Sequence, residues 1–421
     1  MKPASIRDVA EGHLCAGCGV CASLEPEVIT MVNITNRGLR PVVAPGETTR
    51  VSTLEACPGA GLRHDFDAND PALVSELQDV WGPVRGIWEG FASDPKIRFE
   101  GSSAGAATVL ALFCVEQRGM AGVLHIGADP DQPVLNRTQF STSRREILSA
   151  TGSRYAPASP GDSLRAIESA DAPCVFIGKP CDVAGVQAAR RIRPRLDLNL
   201  GLTIGLFCAG TPSTLGTLEM LRAMGVEDPE AVREVRYRGR GWPGDASVTM
   251  GSGEQRRLSY EASWGAILQK HRQWRCYVCA DHTGEFADIA VGDPWYEAPD
   301  GIDPGRSLIV ARTETGRRII EAAVQAGVLT ATPVSPDTLP MSQPNLAATR
   351  GAVWMRIQLL RLFGAYAPTY ENFALRKAWV RELTALQRAR SITGTVRRIY
   401  RKRLRHRDPV RVISNRSEAT L

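Results

Sequence analysis

Pro173-Cys-Val-Phe-Ile-Gly-Lys-Pro-Cys181 is the stretch that decides how this chain folds. Residues 173–177 are short, apolar and partly β-branched, the character of a strand buried on both faces. Gly178 and Pro180 interrupt the run, and a helix is expected over 182–191. A buried strand passing directly into a helix is the repeating step of a layered α/β domain. Working outward, strands of the same kind are expected at 122–126 and 200–206, and helices at 104–118, 213–224 and 261–271. The alternation runs from Trp81 to about Ala347.

The same stretch ends on a cysteine. Cys181 falls just past a predicted strand, and so does Cys208 in Leu206-Phe-Cys208; carboxyl ends of parallel strands are where α/β domains place their sites. Cys276-x2-Cys279 supplies two more thiols. From spacing alone, such a dispersed set suits an iron–sulfur cluster, with a structural zinc on the same four thiolates as the rival. The N-terminal set is more distinctive. Cys15-x2-Cys18-x2-Cys21 is close to the run that wraps a ferredoxin cluster, and a Cys57-Pro58 step follows far downstream. Cys57 is the expected fourth ligand; a zinc knuckle is the alternative, although zinc sites favour paired cysteines with histidine. Two of the ten cysteines remain, Cys114 in a predicted helix and Cys174 in a predicted strand, and both are expected to be inert core thiols.

The 421 residues suffice for two or three domains. The first residues carry no apolar signal segment, and no run of about 18 apolar residues spans a membrane. A cytoplasmic setting is therefore expected, where cysteine sets act as metal or redox sites rather than disulfides. Charge is uneven: ten Lys or Arg and one acid, Asp408, lie between Arg388 and Arg411, within a chain of net charge +6. Residues 1–80 suit a small ferredoxin-like 4Fe-4S module and an exposed linker, 81–347 a catalytic domain, and 348–421 a helical extension with a basic tail.

Two turns are rich in small residues. Glu100-Gly-Ser-Ser-Ala-Gly-Ala-Ala-Thr108 leads into a helix, and N–H groups at such a start suit a pyrophosphate. Ser102, Ser103 and Thr108 add hydroxyls, while Gly105 and Ala106 let a ligand approach; an ordinary helix cap is the alternative. The sequence matches neither the G-x-G-x-x-G fingerprint nor a Walker A loop. Gly152, Ser153, Arg154 and Tyr155 form the second turn, suited to an adenine or an anionic substrate, or else a surface loop.

Taken together, these motifs resemble the beta subunits of coenzyme F420-reducing hydrogenases and dehydrogenases. Plant and cyanobacterial relatives of that family reduce 7-hydroxymethyl chlorophyll a and the 8-vinyl group of divinyl chlorophyllide. The resemblance rests on Ser102–Thr108, Gly152–Tyr155, Gly178-Lys-Pro-Cys-Asp182, Gly205-Leu-Phe-Cys208, Arg236–Gly244, Arg275–Asp281 and Ala287–Asp293, in the family's order over roughly residues 10–310. It implies FAD bound through the Ser102–Thr108 turn and a 4Fe-4S cluster on Cys181, Cys208, Cys276 and Cys279. The N-terminal quartet resembles members that carry a second 4Fe-4S cluster. Two clusters beside one flavin imply an oxidoreductase fed by a ferredoxin-like donor or partner subunit. It would exchange two-electron equivalents with a small organic molecule of the deazaflavin or tetrapyrrole type, or one not yet assigned. A non-catalytic metal-binding subunit of a biosynthetic complex is the alternative.

Departures from the family pattern carry their own expectations. Ala104-Gly105 stands where Gly-Gly is usual, Arg154 where lysine is usual, and Lys179 where threonine is usual. Lys179 adds a cation beside the flavin or cluster, or is a solvated side chain. Arg236, Arg238, Arg240 and Trp242 suit an anionic substrate, with a solvent-facing strand as the alternative for Arg236. Asp281, Asp288 and Asp293 are expected to cap turns. Ile392, Val396, Ile399 and Tyr400 share one helical face of the tail, suited to peripheral membrane contact or a partner; a solvated end is the preferred expectation. No recognition fold for nucleic acid accompanies the basic tail.

Overall fold

An eight-stranded mixed sheet organises the chain in the computed structural model, which describes residues 1–296 and 304–410. Its strands are β1 (Gly86–Ala92), β2 (Val123–Ala128), β3 (Asn136–Ser141), β4 (Cys174–Gly178), β5 (Leu200–Leu206), β6 (Ile289–Gly292), β7 (Ser307–Ala311) and β8 (Leu329–Pro333). They lie in the order β8-β1-β7-β6-β5-β4-β2-β3. The central four, β6, β5, β4 and β2, are parallel, and the flanking pairs are antiparallel.

Helices cover both faces, so the alternation along β4 is apolar on either side. Val175 and Ile177 face α1 (Ala106–Gln117) and α3 (Glu314–Gln325) together with Leu202 and Ile204. Cys174 and Phe176 face the opposite way, towards Val183 and Val186 of α2 (Pro180–Arg190). Burial on both faces is the reason these strands are continuous apolar runs. In α1, Val109 through Cys114 are all buried, so Cys114 is a core thiol at 0% exposure, as is Cys174.

The expected strands and the first three helices fall within a few residues of their observed places. The fourth does not. Over 261–271 the Ala266 N–H reaches back five residues to Glu261 O (2.8 Å), and Ser263 Oγ bonds Ser259 O (2.8 Å). This wide turn gives way to a short 3₁₀ segment, Leu268–His271, because serine hydroxyls bonding back to carbonyls compete with a regular helix.

The segment after the first cysteines is exposed at Asp65, at Asp67–Asn69 and at Pro71–Ala72, as expected of a linker, but its start is tied down. Gly61–Arg63 pairs in parallel with Thr369–Glu371. His64 is buried, bonds Glu285 at 2.7 Å and stacks on Phe286 with ring centroids 4.5 Å apart. The chain ends interlock. Val9, Leu14 and Cys15 share one apolar cluster with Trp274 and Val278, and with Val353, Ile357 and Leu360 of α4 (Pro344–Leu362). In the tail, α5 (Ala385–Arg401) docks through Ile399, with Ile392 and Val396 against the same cluster. The preferred expectation of a solvated end is therefore corrected for 385–401; an amphipathic stripe buries itself where an apolar face is available. Tyr400 alone of the four is exposed, and residues from 411 lie outside the described part.

Candidate functional site

The carboxyl ends of the parallel strands open into a cavity of about 300 Å3, within the range of small-molecule sites. Both small-residue turns line it. They are joined by the Ser153 N–H, which donates to Ser102 Oγ at 2.6 Å. The first turn is held in place by Ala92 N–H to Ala104 O (2.9 Å) and Ser103 Oγ to Asp293 Oδ1 (3.0 Å). It then winds left-handed through Ala104 (φ 53°) and Gly105 (φ 73°). A Cβ on Gly105 would lie 2.7 Å from Ile97 O, so glycine is required there. Ala104 adopts the same region without glycine's freedom, a strain that marks functional turns. No side chain caps α1, so the N–H groups of Ala106, Ala107 and Thr108, which border the cavity, are available to an anion.

Arg238 anchors the cavity wall. It is 2% exposed, grips Asp293 at 2.8 and 3.0 Å and donates to Ser102 O at 2.6 Å. Trp242 Nε1 completes the Asp293 cage at 2.9 Å. Asp293 thus ties walls together, whereas Asp281 caps the turn of Thr283, Gly284 and Glu285, as expected. Aromatic rings face the same space: Tyr155 lies 4.7 Å from Trp264, and Tyr260 stacks near Trp295 at 5.5 Å.

The eight singled-out cysteines gather as two sets. Cys15, Cys18, Cys21 and Cys57 border one small cavity, and Cys181, Cys208, Cys276 and Cys279 border a second. Burial, and then neighbouring sulfurs, push Cys57 up to about 11 and Cys208 up to about 12. Backbone N–H groups point at sulfur in both, Gly17 to Cys15 and Thr211 to Cys276, each at 3.3 Å. Arg40 and Arg275, 4% and 2% exposed, are buried beside these sets. His282 borders the second cavity and donates Nδ1–H to Cys208 O at 2.8 Å, which leaves its Nε2 as a buried acceptor.

Other predicted residues sort differently. Lys179 borders the large cavity but is not solvated: its Nζ contacts both Asp182 oxygens at 2.6 and 2.7 Å. Burial works against its charge, yet Asp182 and the sulfurs of Cys181 and Cys208 outweigh it and keep it a cation. Arg154 is spent on the carbonyls of Pro133, Leu135 and Val235. Arg236 and Arg240 pair with Glu100 in an adjoining cleft that Trp242 shares, so the sequence alternative of a solvated Arg236 does not hold. Tyr260, Trp264, Trp295 and His125 went unnoticed in sequence because single aromatics and histidines carry no spacing signal.

His125 borders the cavity, bonds Ser141 Oγ at 2.8 Å and is held down to about 4 by burial. A depressed histidine binds its proton more weakly folded than unfolded, so stability is full above about 6.5 and falls as pH drops toward 4. Urea unfolding should lose about 2 kcal/mol from this residue between pH 7 and 5. His125→Gln keeps a hydrogen-bonding side chain and should flatten that part of the profile; an unchanged slope would remove His125 as its source.

Residues 87–165 match the N-terminal part of the family described as "Coenzyme F420 hydrogenase/dehydrogenase, beta subunit", and residues 172–337 match its C-terminal part. The chain is similar to the coenzyme F420 hydrogenase subunit beta of Methanococcus voltae, 26% identical over 251 residues, covering 56% of this chain and 80% of that one. It is 29% identical over 246 residues to the F420-dependent formate dehydrogenase 1 subunit beta of Methanococcus maripaludis, covering 56% of this chain and 58% of that one. Its fold is similar to a chain of the F420-reducing NiFe hydrogenase complex from Methanosarcina barkeri, with TM-score 0.52, 22% identity, and coverage of 66% and 94%.

Proposed function

Because the chain belongs to the coenzyme F420 hydrogenase/dehydrogenase beta-subunit family, we propose that it is an iron–sulfur flavoprotein that joins one-electron carriers to two-electron chemistry. The observation that carries this reading is contiguity. Ala16 borders both cysteine cavities, and Cys208, Gly210 and Thr211 border both the second cysteine cavity and the large one. Three sites therefore lie in series: the N-terminal quartet, the second quartet, and the large cavity.

The donor sets fit the groups. Each cysteine cavity offers four thiols and sulfur-directed N–H groups, the ligation of a 4Fe-4S cluster. A structural zinc on the same four thiolates is the rival occupant of either site. The large cavity fits FAD: uncapped N–H groups of α1 for a pyrophosphate, and aromatic walls for flat rings.

A bound flavin supplies the exchange between single electrons and hydride equivalents. The chain's own residues do the rest. Ser102 and Ser153 fix the two turns against each other, and Arg238 with Asp293 holds the wall. Tyr155, Trp264, Tyr260 and Trp295 exclude water and orient a flat partner, so no catalytic base is required. The electron donor is a ferredoxin-like protein or partner subunit, and the two-electron partner is a flat organic molecule of the deazaflavin or tetrapyrrole type. Among the described residues no helix is long and apolar enough to cross a membrane.

Anaerobically purified protein should show flavin bands over a broad iron–sulfur absorption, with acid-labile sulfide matching iron. A colourless protein that holds zinc would overturn the reading and favour a non-catalytic metal-binding subunit.

A further inference from the structure

We propose that Arg40 and Arg275 form a shared pair of counter-cations between the two cysteine-held clusters, so that neither cluster's reduction potential is independent of the charge beside the other. This deepens the cluster reading above and rests on it.

Both guanidinium groups are buried, at 4% and 2% exposure. Neither has a carboxylate partner among the described residues. Arg40 donates to Leu39 O at 2.7 Å and Arg275 to Pro58 O at 2.7 Å. Beyond that, Arg40 Nε and both Nε and Nη1 of Arg275 have no partner. The nearby acids are engaged elsewhere: Asp408 pairs with Arg37 at 3.1 Å, and Asp281 is held by backbone N–H groups. A buried guanidinium with no anion costs several kcal/mol, so the fold needs negative charge at this place.

The Tyr370 ring, 5.9 Å from the Arg275 guanidinium, is a neutral neighbour. Asp408 acts on Arg40 only from its pair with Arg37. Among the described residues the other anions acting on these arginines are the cysteine sites, and each arginine feels both. Arg275 precedes Cys276, borders the second cavity, and spans to Pro58, the residue after Cys57. Arg40 lies on the strand Gly38–Val43, where Cys15 and Cys276 both act on its charge. Cys57, Cys181, Cys276 and Cys279 likewise share the field of Arg275. A cluster held by four thiolates is a net anion, which supplies what the unpartnered N–H groups lack.

The consequence is electrical. Clusters held at these two sites would supply one-electron transfer, each electron gained balanced by one lost from a one-electron carrier, and two such electrons would match one two-electron reduction of a flavin. Every added electron raises the negative charge between the clusters. Two fixed cations offset that rise for both sites, so they shift both cluster potentials in the same direction.

The test is an anaerobic redox titration followed by electron paramagnetic resonance, on wild type, Arg40→Met, Arg275→Met and Arg275→Lys. Signals are assigned with variants that lack one quartet. Arg275→Met should lower the reduction equilibrium of both clusters about tenfold, 59 mV for a one-electron couple. The shift in the N-terminal cluster is decisive, since none of its ligands has been touched. Arg40→Met should act likewise, and Arg275→Lys should stay near wild type. Unchanged potentials, or a shift in the second cluster alone, would overturn the coupling. If Arg275→Met loses iron while Arg275→Lys keeps it, the need for charge is supported; loss from both would overturn a charge role in favour of guanidinium geometry. Wild type without iron would instead sink the cluster reading itself.

Discussion

Cys18→Ala should remove about half of the iron and stop electron entry from a one-electron donor, while flavin content and its exchange with a two-electron partner persist. The reasoning is positional. Cys18 borders only the N-terminal cysteine cavity, which meets the second one at Ala16 and does not share residues with the large cavity. Its loss opens one end of the series. Cys276→Ala should behave differently, because the second cavity shares Cys208, Gly210 and Thr211 with the large one. There the flavin should lose both its electron supply and part of its wall. Stopped-flow reduction of bound flavin by a reduced one-electron carrier checks the first variant, and a fall of at least 100-fold is expected. Iron, sulfide and flavin analysis accompanies it. Loss of nearly all the iron in either single variant would show that the quartets do not hold separate clusters. The chain should remain folded in both, since Cys18 packs among Val20, Leu24 and Val183 and the segment is anchored by Val9 and Leu14 against α4.

What the sequence revealed, and what it hid, follows from the range of each signal. Strands β4 and β5 were legible because burial on both faces forces an apolar run, and the cysteines after them were legible because strand ends place sites. The meeting of Cys181 and Cys208 with Cys276 and Cys279 was only suggested by strand ends and came mainly from the family resemblance, since no spacing rule links residues nearly 100 apart. His64 was misplaced as part of a linker because its burial depends on Glu285, Phe286 and Phe373, all distant in sequence. The tail was misjudged for a related reason: an amphipathic helix reveals its stripe but not the surface that receives it. Arg40 carried no local signal at all. Only the absence, among the described residues, of a carboxylate paired with it makes it informative.

Arg238→Met should be the most damaging single change at the large cavity, costing about 3–5 kcal/mol of stability and most of the bound flavin. The guanidinium is buried and joins Asp293 to Ser102 O and Pro243 O, so it links the strand end after β6, the first small-residue turn and the loop beyond it. Methionine fills much of the volume but leaves the Asp293 carboxylate with only Trp242 Nε1 and Ser103 Oγ. An uncompensated, largely buried carboxylate, 12% exposed, is the large term, and lost hydrogen bonds to the turn add to it. Asp293→Asn reverses the imbalance and should also destabilise, by stranding the arginine. The two effects share one interaction, so they should not add: Arg238→Met with Asp293→Asn should cost less than the sum of the single changes, by at least about 1 kcal/mol. Urea unfolding of flavin-free protein measures this coupling without the cofactor, and flavin titration of the same variants measures the turn. Additive losses would mean that Arg238 and Asp293 act separately. A stability loss with unchanged flavin affinity would mean that the Ser102–Thr108 turn holds its shape without Arg238, and the wall would then owe its form to Ala104 and Gly105 alone.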